Sequence, residues 1–419
     1  MRSNPMSRII IGAAALTLLV SSAVSAQGAT PPPREYGESL RTSVITNALD
    51  DAGTNSAIEE TAKAFHVELG GRTDGKDEEN GWLPVPPRPD AAGVTDAMLK
   101  VAQEQPSVVI ISGGDGQANV GVARNFDVTT FIDLGQAPPC VTEDGQPDPS
   151  GTCAGGEVGL PFNYTAVDFA VEDGAYLAGL LAAAASRNDR LGIISGAADC
   201  VECNRYIRGF VNGARSVDPE IDIQLAYLAD DEAAGFGDAA SARTFTQAFL
   251  DVFQPDVLLP VGRGISTAMI EAVCAAGDVL AVGTAIDIAA AKPDLAQCVL
   301  TSVSKDVASA VRESMYGFAQ GDAPRTITYD LTDGRISVTR PTLSGLPVDT
   351  AERYKAAETG ILTGQIDTCP GDCGAPLGGV VEGDGEPGTE SEGSDAEDAG
   401  AEPDAEAETE AEGEAATED

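Results

Sequence analysis

From about residue 41 onward, short apolar runs alternate with longer segments in which apolar residues recur at helical spacing. Short runs such as 106–112 are typical of buried parallel strands, and segments such as 239–253 are typical of helices. The predicted strands are 41–46, 106–112, 131–134, 191–195, 222–227, 257–261 and 279–284, and the predicted helices are 55–65, 174–186, 205–215, 239–253, 266–276 and 305–317. This rhythm predicts an α/β protein whose parallel sheets carry helices on both faces.

One segment interrupts the rhythm. The residues around Trp82 are rich in proline and predict a surface loop. The turns 113–116 and 262–264 are rich in glycine but lack the spacing of nucleotide-binding loops. We therefore expect no dinucleotide cofactor.

The amino-terminal segment has the pattern of a secretory signal peptide. Arg2 and Arg8 precede the uncharged run 9–20, and small residues follow up to Ala26. This run is much shorter than the roughly 20 residues that span a bilayer, so an uncleaved anchor is the less favoured alternative. We expect cleavage near Ala26, a linker over 27–40 and a mature protein in the periplasm.

The carboxyl-terminal segment 382–419 contains 17 acidic residues and no basic residue. Such a composition cannot offset the conformational entropy of folding, which predicts a disordered tail. A solubilising role is favoured over attraction of cations or of a partner. Without these 17 charges the net charge of −42 becomes −25, so the remainder is also acidic, which argues against nucleic acid as a partner.

The eight cysteines predict disulfide bonds in an exported protein. Of the 105 possible connectivities, the simplest joins neighbours in sequence. Those pairs are Cys140–Cys153, Cys200–Cys203, Cys274–Cys298 and Cys369–Cys373. For Cys200–Cys203 a redox-active pair is the less favoured alternative, because its context differs from a thioredoxin site. The single histidine, His66, leaves little material for a zinc site or a catalytic triad, so we expect no metal and no enzyme.

Three segments carry a resemblance to a known family: 171–179 (VEDGAYLAG), 208–214 (RGFVNGA) and 299–305 (VLTSVSK). Together with weaker matches from about 41 to 367, they resemble the basic membrane lipoprotein (BMP) family of ABC-transporter substrate-binding proteins. The resemblance implies a two-lobed, type I periplasmic-binding-protein-like fold, in agreement with a folded part too long for one core. The expected first lobe is 41–165 with a return segment of about 300–330. The expected second lobe is 166–299 with about 331–367, followed by a cysteine-containing linker, 368–381.

The resemblance also implies a function. A monomeric periplasmic receptor would capture a small polar ligand, first of all a purine nucleoside, between its lobes and deliver it to an ABC permease. The residues that the family motifs and the strand ends assign to the ligand are Asp51, Asn55, Asp133, Phe236, Asp287 and Lys305. Phe236 would stack on a base, whereas Asp51 is equally typical of a helix cap and Lys305 also fits a surface lysine. Ala285 and Thr54 replace an acidic residue and a phenylalanine of the family pattern.

Two other functions compete with transport. A sensing or interaction protein of the same fold would signal to a membrane partner, and the acidic tail and the altered cleft positions favour it. An exported nucleoside hydrolase needs a dense aspartate cluster, and 230–232 is the nearest approach to one. We therefore regard the hydrolase as the weakest of the three hypotheses.

Overall fold

The computed structural model describes residues 40–47, 53–73, 81–134, 160–339, 345–378 and 380–381. All of them belong to the unit that ends at Gly383. The predicted signal peptide, almost all of the predicted linker, Asp51, Cys140, Cys153 and the acidic tail lie outside the described residues.

Strands and helices alternate along the described chain, as the apolar pattern predicts. The strands are β1 (Thr42–Thr46), β2 (Trp82–Pro84), β3 (Val108–Ser112), β4 (Thr130–Leu134), β5 (Tyr164–Phe169), β6 (Arg190–Ala197), β7 (Asp222–Ala229), β8 (Val257–Val261), β9 (Leu280–Ala285), β10 (Val299–Lys305), β11 (Thr326–Tyr329), β12 (Ile336–Val338) and β13 (Val380–Val381). The helices are α1 (Thr54–Glu68), α2 (Ala91–Gln103), α3 (Gly116–Ala123), α4 (Val171–Ala185), α5 (Val201–Val217), α6 (Glu232–Gly235), α7 (Ala239–Phe253), α8 (Ile265–Ala276), α9 (Ile288–Ala291), α10 (Val307–Gln320) and α11 (Thr350–Leu362). A 3-10 helix spans Pro293–Cys298.

These strands form two sheets. The first has the order β11-β5-β4-β3-β1-β2 and is parallel throughout. The second has the order β12-β10-β9-β8-β6-β7-β13, in which only the two edge strands run antiparallel to their neighbours. Both contain the doubly wound order 2-1-3-4-5, which reverses between β1 and β3 in one sheet and between β6 and β8 in the other. The predicted α/β class is confirmed.

Alternate strand residues of the first sheet face two separate helix layers. Val44, Ile110 and Ile132 pack in the core that contains α1 and α10, whereas Ile45 and Ile111 pack against α2 and α3. This period of two is the reason that parallel strands covered on both faces appear as continuous apolar runs. We call this sheet with these helices the first lobe.

The second sheet is flanked by two pairs of helices, α4 with α5 and α7 with α8. We call this sheet with its helices the second lobe. The chain passes from the first sheet to the second after β5, returns after β10, and crosses again between β11 and β12. The strand β10 therefore belongs to the second sheet, and α10 packs on α1 in the first lobe. The residue bounds of the lobes given above stay a prediction.

The prediction of a surface loop around Trp82 was wrong for β2. Trp82 is buried, and β2 pairs in parallel with β1 at the edge of the first sheet. A proline is tolerated here because an edge strand leaves one row of its backbone groups without a strand partner. The Trp82 ring meets the buried imidazole of His66 edge-on, with the ring centroids 5.9 Å apart. The single histidine is therefore a buried residue that packs in the core of the first lobe.

Three of the predicted disulfide pairs are bonded in the structure. Cys200 is joined to Cys203, Cys274 to Cys298 and Cys369 to Cys373, with Cα atoms 5.2, 5.3 and 5.6 Å apart. The Cys369–Cys373 bond staples a segment, residues 366–378, that we call the strap. The strap lies along α5, whose side chains donate to its backbone carbonyls: Asn212 to Thr368, Asn204 to Gly374 and Arg208 to Ala375.

The helices α4 and α5 approach each other closely because glycine occupies the contact points. A Cβ atom built on Gly213 would lie 1.8 Å from the backbone oxygen of Tyr176, and one on Gly179 would lie 2.0 Å from that of Phe210. Backbone atoms cannot be displaced as a flexible side chain can, so any larger residue must push the helices apart. Gly179 and Gly213, which lie in two of the three segments that carry the family resemblance, are thus required for packing.

We expect Gly213→Ala to lower the free energy of unfolding by about 1–3 kcal/mol, the usual cost of overpacking. Denaturant unfolding followed by circular dichroism measures it. The matched control is Gly121→Ala in α3, where an added Cβ meets no atom within 4 Å. That change should raise stability by about 0.5–1 kcal/mol, since alanine favours helix over glycine. Equal effects of the two substitutions would contradict the packing argument.

Candidate ligand-binding cleft

A cleft lies where the carboxyl ends of strands from both sheets face each other. The strand order of each sheet reverses beside it, and loops that diverge at such a point leave a crevice. The cleft is lined by Asn47, Thr54, Asn55, Ser112, Gly113, Leu134, Cys200, Glu202, Cys203, Tyr206, Val261, Gly262, Arg263, Thr284, Ala285 and Lys305.

The first lobe contributes mainly amide and hydroxyl groups to the cleft. Asn47 follows β1, Ser112 ends β3, and Thr54 and Asn55 begin α1. The Nδ2 atom of Asn55 donates to the backbone oxygen of Asn47 at 2.8 Å, which joins the helix start to the strand end. The Oγ1 atom of Thr54 is buried and has no hydrogen-bond partner among the described residues. This wall therefore offers neutral polar groups.

The second lobe contributes the first turns of α5. Cys200 caps the helix and is bonded to Cys203, and Glu202 and Tyr206 lie in the same two turns. The Tyr206 hydroxyl accepts the backbone N–H of Ala285 at 3.2 Å, which ties α5 to the end of β9. Ala285 has φ of 68°, a left-handed conformation that is uncommon for a residue with a Cβ atom. Such outliers concentrate at functional sites.

Both cations of the lining have a carboxylate partner. Lys305 Nζ lies 2.6 Å from Glu202 Oε1 and 5.5 Å from the centre of the Phe169 ring. Arg263 Nη2 lies 3.0 Å from Glu232 Oε2. Burial raises the pKa of Glu232 and the nearby Arg263 opposes that rise, leaving the pKa raised overall. Within the described lining, the two positive charges are thus compensated by two neighbouring carboxylates.

Two of the six predicted ligand residues line the cleft. Asn55 lies on the wall of the first lobe and Lys305 at the end of β10, on the wall of the second. Asp133, Phe236 and Asp287 are described but do not belong to the lining, and Asp51 lies outside the described residues. The structure therefore brings together two of the five predicted residues that it describes.

Asp133 serves the interior of the first lobe. Its side chain accepts hydrogen bonds from Asn119 of α3 and from the Tyr164 hydroxyl, and it is 1% exposed. Burial raises its pKa from 3.8 to about 6. The two hydrogen bonds oppose this rise, and the charge of the nearby Asp115 adds to it. Asp133 alternates along β4 with Ile132 and Leu134, so its side chain points to the face that α3 covers.

Phe236 and Asp287 also have structural partners. Phe236 is 1% exposed, and its ring lies against Gly196 and beneath the guanidinium group of Arg263, 5.0 Å away. A ring held there is not available to stack on a ligand in this conformation. Asp287 caps the short helix α9 by accepting the backbone N–H of Ala290. Both residues match the family pattern in sequence, but their side chains lie outside the cleft.

Sequence reasoning missed several residues that do line the cleft. Glu202 lies outside the predicted helix 205–215 because α5 begins at Val201, whereas Tyr206 lies inside that helix and no motif assigned it to the ligand. A signal was present, since Cys200 is followed by an acidic residue in the first turn, as at many helix starts. Arg263 lies in a glycine-rich turn that was tested only as a nucleotide loop.

Comparison with known proteins decides the family. The model of the family Bmp, described as ABC transporter substrate-binding protein PnrA-like, matches residues 43–358. The chain belongs to the Bmp family. This Bmp protein is 28% identical over 222 residues to the ABC transporter nucleoside-binding protein BmpA of Lactococcus lactis subsp. cremoris. The match covers 49% of this chain and 60% of that relative.

Solved structures show the same fold at low identity. A solute-binding protein of an ABC transporter system from Aeropyrum pernix K1 has a TM-score of 0.62 and 14% identity, over 78% of this chain and 92% of that one. A Caulobacter myo-inositol binding protein has a TM-score of 0.52 and 17% identity, over 77% and 99% of the two chains. The predicted type I periplasmic-binding-protein fold is confirmed.

Membership of the Bmp family identifies a substrate-binding protein and not an enzyme. Proteins of this kind work outside the cytoplasm, as the predicted localisation requires. Among the described helices, none has both the length and the apolar character needed to cross a membrane. No group of three or more acidic, histidine or cysteine side chains is placed to hold a metal ion in the described ranges.

The pKa of Asp133 predicts a pH dependence of stability. Since its folded pKa of about 6 is above 3.8, its contribution to stability is fully present below about pH 4 and is lost as the pH rises through 6. Relative to Asp133→Asn, the wild type should lose roughly 3 kcal/mol between about pH 4 and pH 7. Unfolding by urea across this range measures the difference. Asp96→Asn, on the exposed side of α2, controls for the loss of one negative charge. If the free energies of unfolding of the wild type and Asp133→Asn differed by the same amount at every pH, the raised pKa of Asp133 would be contradicted.

Proposed function

We propose that this protein is the receptor of an ABC importer and that it captures a neutral, polar small molecule in the cleft between its lobes. The observation that carries the proposal is the composition of the cleft wall. Strand ends of both sheets supply amide, hydroxyl and backbone groups, and the described charges occur in neighbouring pairs. An exported form, released by cleavage near Ala26, and delivery of the ligand to an ABC permease are part of the proposal.

The charge pairs are the reason for expecting a neutral ligand. An anionic or cationic ligand needs an opposite charge that remains after the protein's own groups are paired, because burying an unpaired charge is costly. Lys305 and Arg263 are each occupied by a carboxylate at 3.0 Å or less. A neutral molecule rich in hydroxyl groups can be bound by Asn47, Asn55 and Thr284 without displacing either pair.

A purine nucleoside is the first ligand class to test. It is neutral, it carries hydroxyl groups, and the BmpA relative is named as nucleoside-binding. The positions where this chain has Ala285 and Thr54 line the cleft and differ from the family pattern. Contacts with the sugar and the base should therefore involve other side chains here than in the family motif, and the test must include neutral ligands that have no base.

Isothermal titration calorimetry of the purified mature protein tests the proposal. The panel contains guanosine, adenosine, inosine and uridine, the corresponding 5′-monophosphates, and ribose and myo-inositol. We expect at least one neutral compound to bind with micromolar or tighter affinity, and its phosphorylated counterpart to bind at least about tenfold more weakly. If only ribose or myo-inositol binds, the proposal that the ligand is a nucleoside is contradicted. Absence of binding across these compounds, other sugars and amino acids would contradict the importer receptor.

Glu202→Gln tests the charge argument directly. The substitution keeps the shape of the side chain but leaves Lys305 without its carboxylate, so the cleft gains one net positive charge. We expect the ratio of the guanosine and guanosine monophosphate dissociation constants to shift toward the nucleotide by about tenfold. Glu60→Gln, at an exposed position of α1, makes the same change in net charge and should leave the ratio unchanged. An equal shift in both variants would point to long-range charge instead of the cleft.

A further inference from the structure

The guanidinium group of Arg205 lies at the point where the chain first passes from one sheet to the other. Its Nε and Nη2 atoms donate to the two carboxylate oxygens of Glu172 at 2.8 and 2.9 Å, and its Nη1 donates to Asp168 at 2.6 Å. The three side chains are 15–17% exposed. One partly buried cation thus holds two carboxylates, and the contact with Glu172 has the paired geometry that makes arginine–carboxylate bonds strong.

The two carboxylates come from different lobes. Asp168 is in β5, which lies in the first sheet between β4 and β11. Glu172 is in the first turn of α4, which packs on α5 in the second lobe. Arg205 is itself in α5. The bond to Glu172 therefore joins two helices within one lobe, whereas the bond to Asp168 joins the two lobes.

Arg205 is also coupled to the cleft wall. The same helical turns carry Glu202, Cys203 and Tyr206, all of which line the cleft. Because Arg205 and the lining residues lie on one continuous helix, and because glycine contacts hold that helix against α4, a shift of Arg205 relative to β5 would move this wall relative to the wall of the first lobe. The position of one guanidinium group is thus linked to the width of the cleft.

The electrostatics agree with a persistent contact. Burial alone would lower the pKa of Arg205, but the charges of Asp168 and Glu172 outweigh it and raise the pKa overall. Replacing a buried ion pair by apolar residues is often neutral or stabilising, so such pairs are weak evidence for stability alone. A role in fixing one relative orientation explains why charged groups occupy this junction.

We propose that Arg205 is a positioning residue whose bond to Asp168 sets the angle between the lobes and thereby the width of the cleft. The bond from Arg205 to Glu172 anchors the guanidinium group within the second lobe. The inference does not require the ligand to be a nucleoside, because the orientation of the lobes can be measured in the absence of any ligand.

A matched pair of variants tests the proposal, since Asp168→Asn and Glu172→Gln each remove one carboxylate charge from the same guanidinium group at similar burial. Small-angle X-ray scattering of the ligand-free mature protein should show a larger radius of gyration for Asp168→Asn and no change for Glu172→Gln. Asp168→Glu retains the charge and should restore the wild-type value. Circular dichroism identifies any variant that fails to fold. If Asp168→Asn fails to fold, the radii of gyration of Asp168→Glu and Glu172→Gln are compared instead.

Ligand affinity gives a second readout, with guanosine as the probe. Asp168→Asn should weaken its binding by about tenfold, and Glu172→Gln should leave it unchanged. If guanosine does not bind the wild type, the nucleoside proposal fails while the scattering comparison still tests Arg205. Identical radii of gyration for wild type and Asp168→Asn, or an equal increase in both variants, would overturn the positioning role.

Discussion

The contact between α4 and α5 is the constraint on which the rest of the structure depends. Gly179, Gly209 and Gly213 let the two backbones meet without side chains between them. At this distance Arg205 reaches the first turn of α4 and the end of β5 together. The first turns of α5 then project into the cleft. One helix pair therefore sets the packing of the second lobe, the contacts of Arg205 and the position of the α5 wall of the cleft. A change in the separation of the two helices would alter all three.

The cleft and the whole chain differ in their electrostatics. The chain has a net charge of −42, which creates a field that repels anions and attracts cations at long range. Inside the cleft the described charges are paired at short distance, and pairing of this kind is much less screened by salt than the outer field is. Net charge thus acts on molecules at a distance, whereas the local pairs act only within the cleft.

Much of the fold could be predicted from the sequence because buried parallel strands leave a simple signal. Apolar runs predict several strands at their observed positions, and the run 257–261 coincides with β8. The helix α2 is absent from the predicted elements although Val94, Met98 and Val101 lie on one buried face, because the prolines before it predict a loop. Trp82 shows the same limit, because proline marks an edge strand as readily as a loop.

The site was less predictable, for a geometrical reason. Sequence position places a residue at a strand end, but the direction of its side chain follows from a period of two along the strand and from its neighbours. Asp133 and Leu134 are adjacent, yet one is enclosed beneath α3 and the other lines the cleft. Lys305 and Asn55 line the cleft because the end of β10 and the start of α1 direct them toward the opening, and their role in ligand binding stays a prediction.

The strap shows that a family boundary and a folding boundary are different things. The family match ends at residue 358, yet the strap beyond it receives hydrogen bonds from three side chains of α5, and β13 pairs with β7. A chain cut at the family boundary would leave those donors without their carbonyl partners and would expose backbone groups at a sheet edge. Exposed edges invite pairing between copies of a protein, and the pairing of β13 with β7 covers this edge.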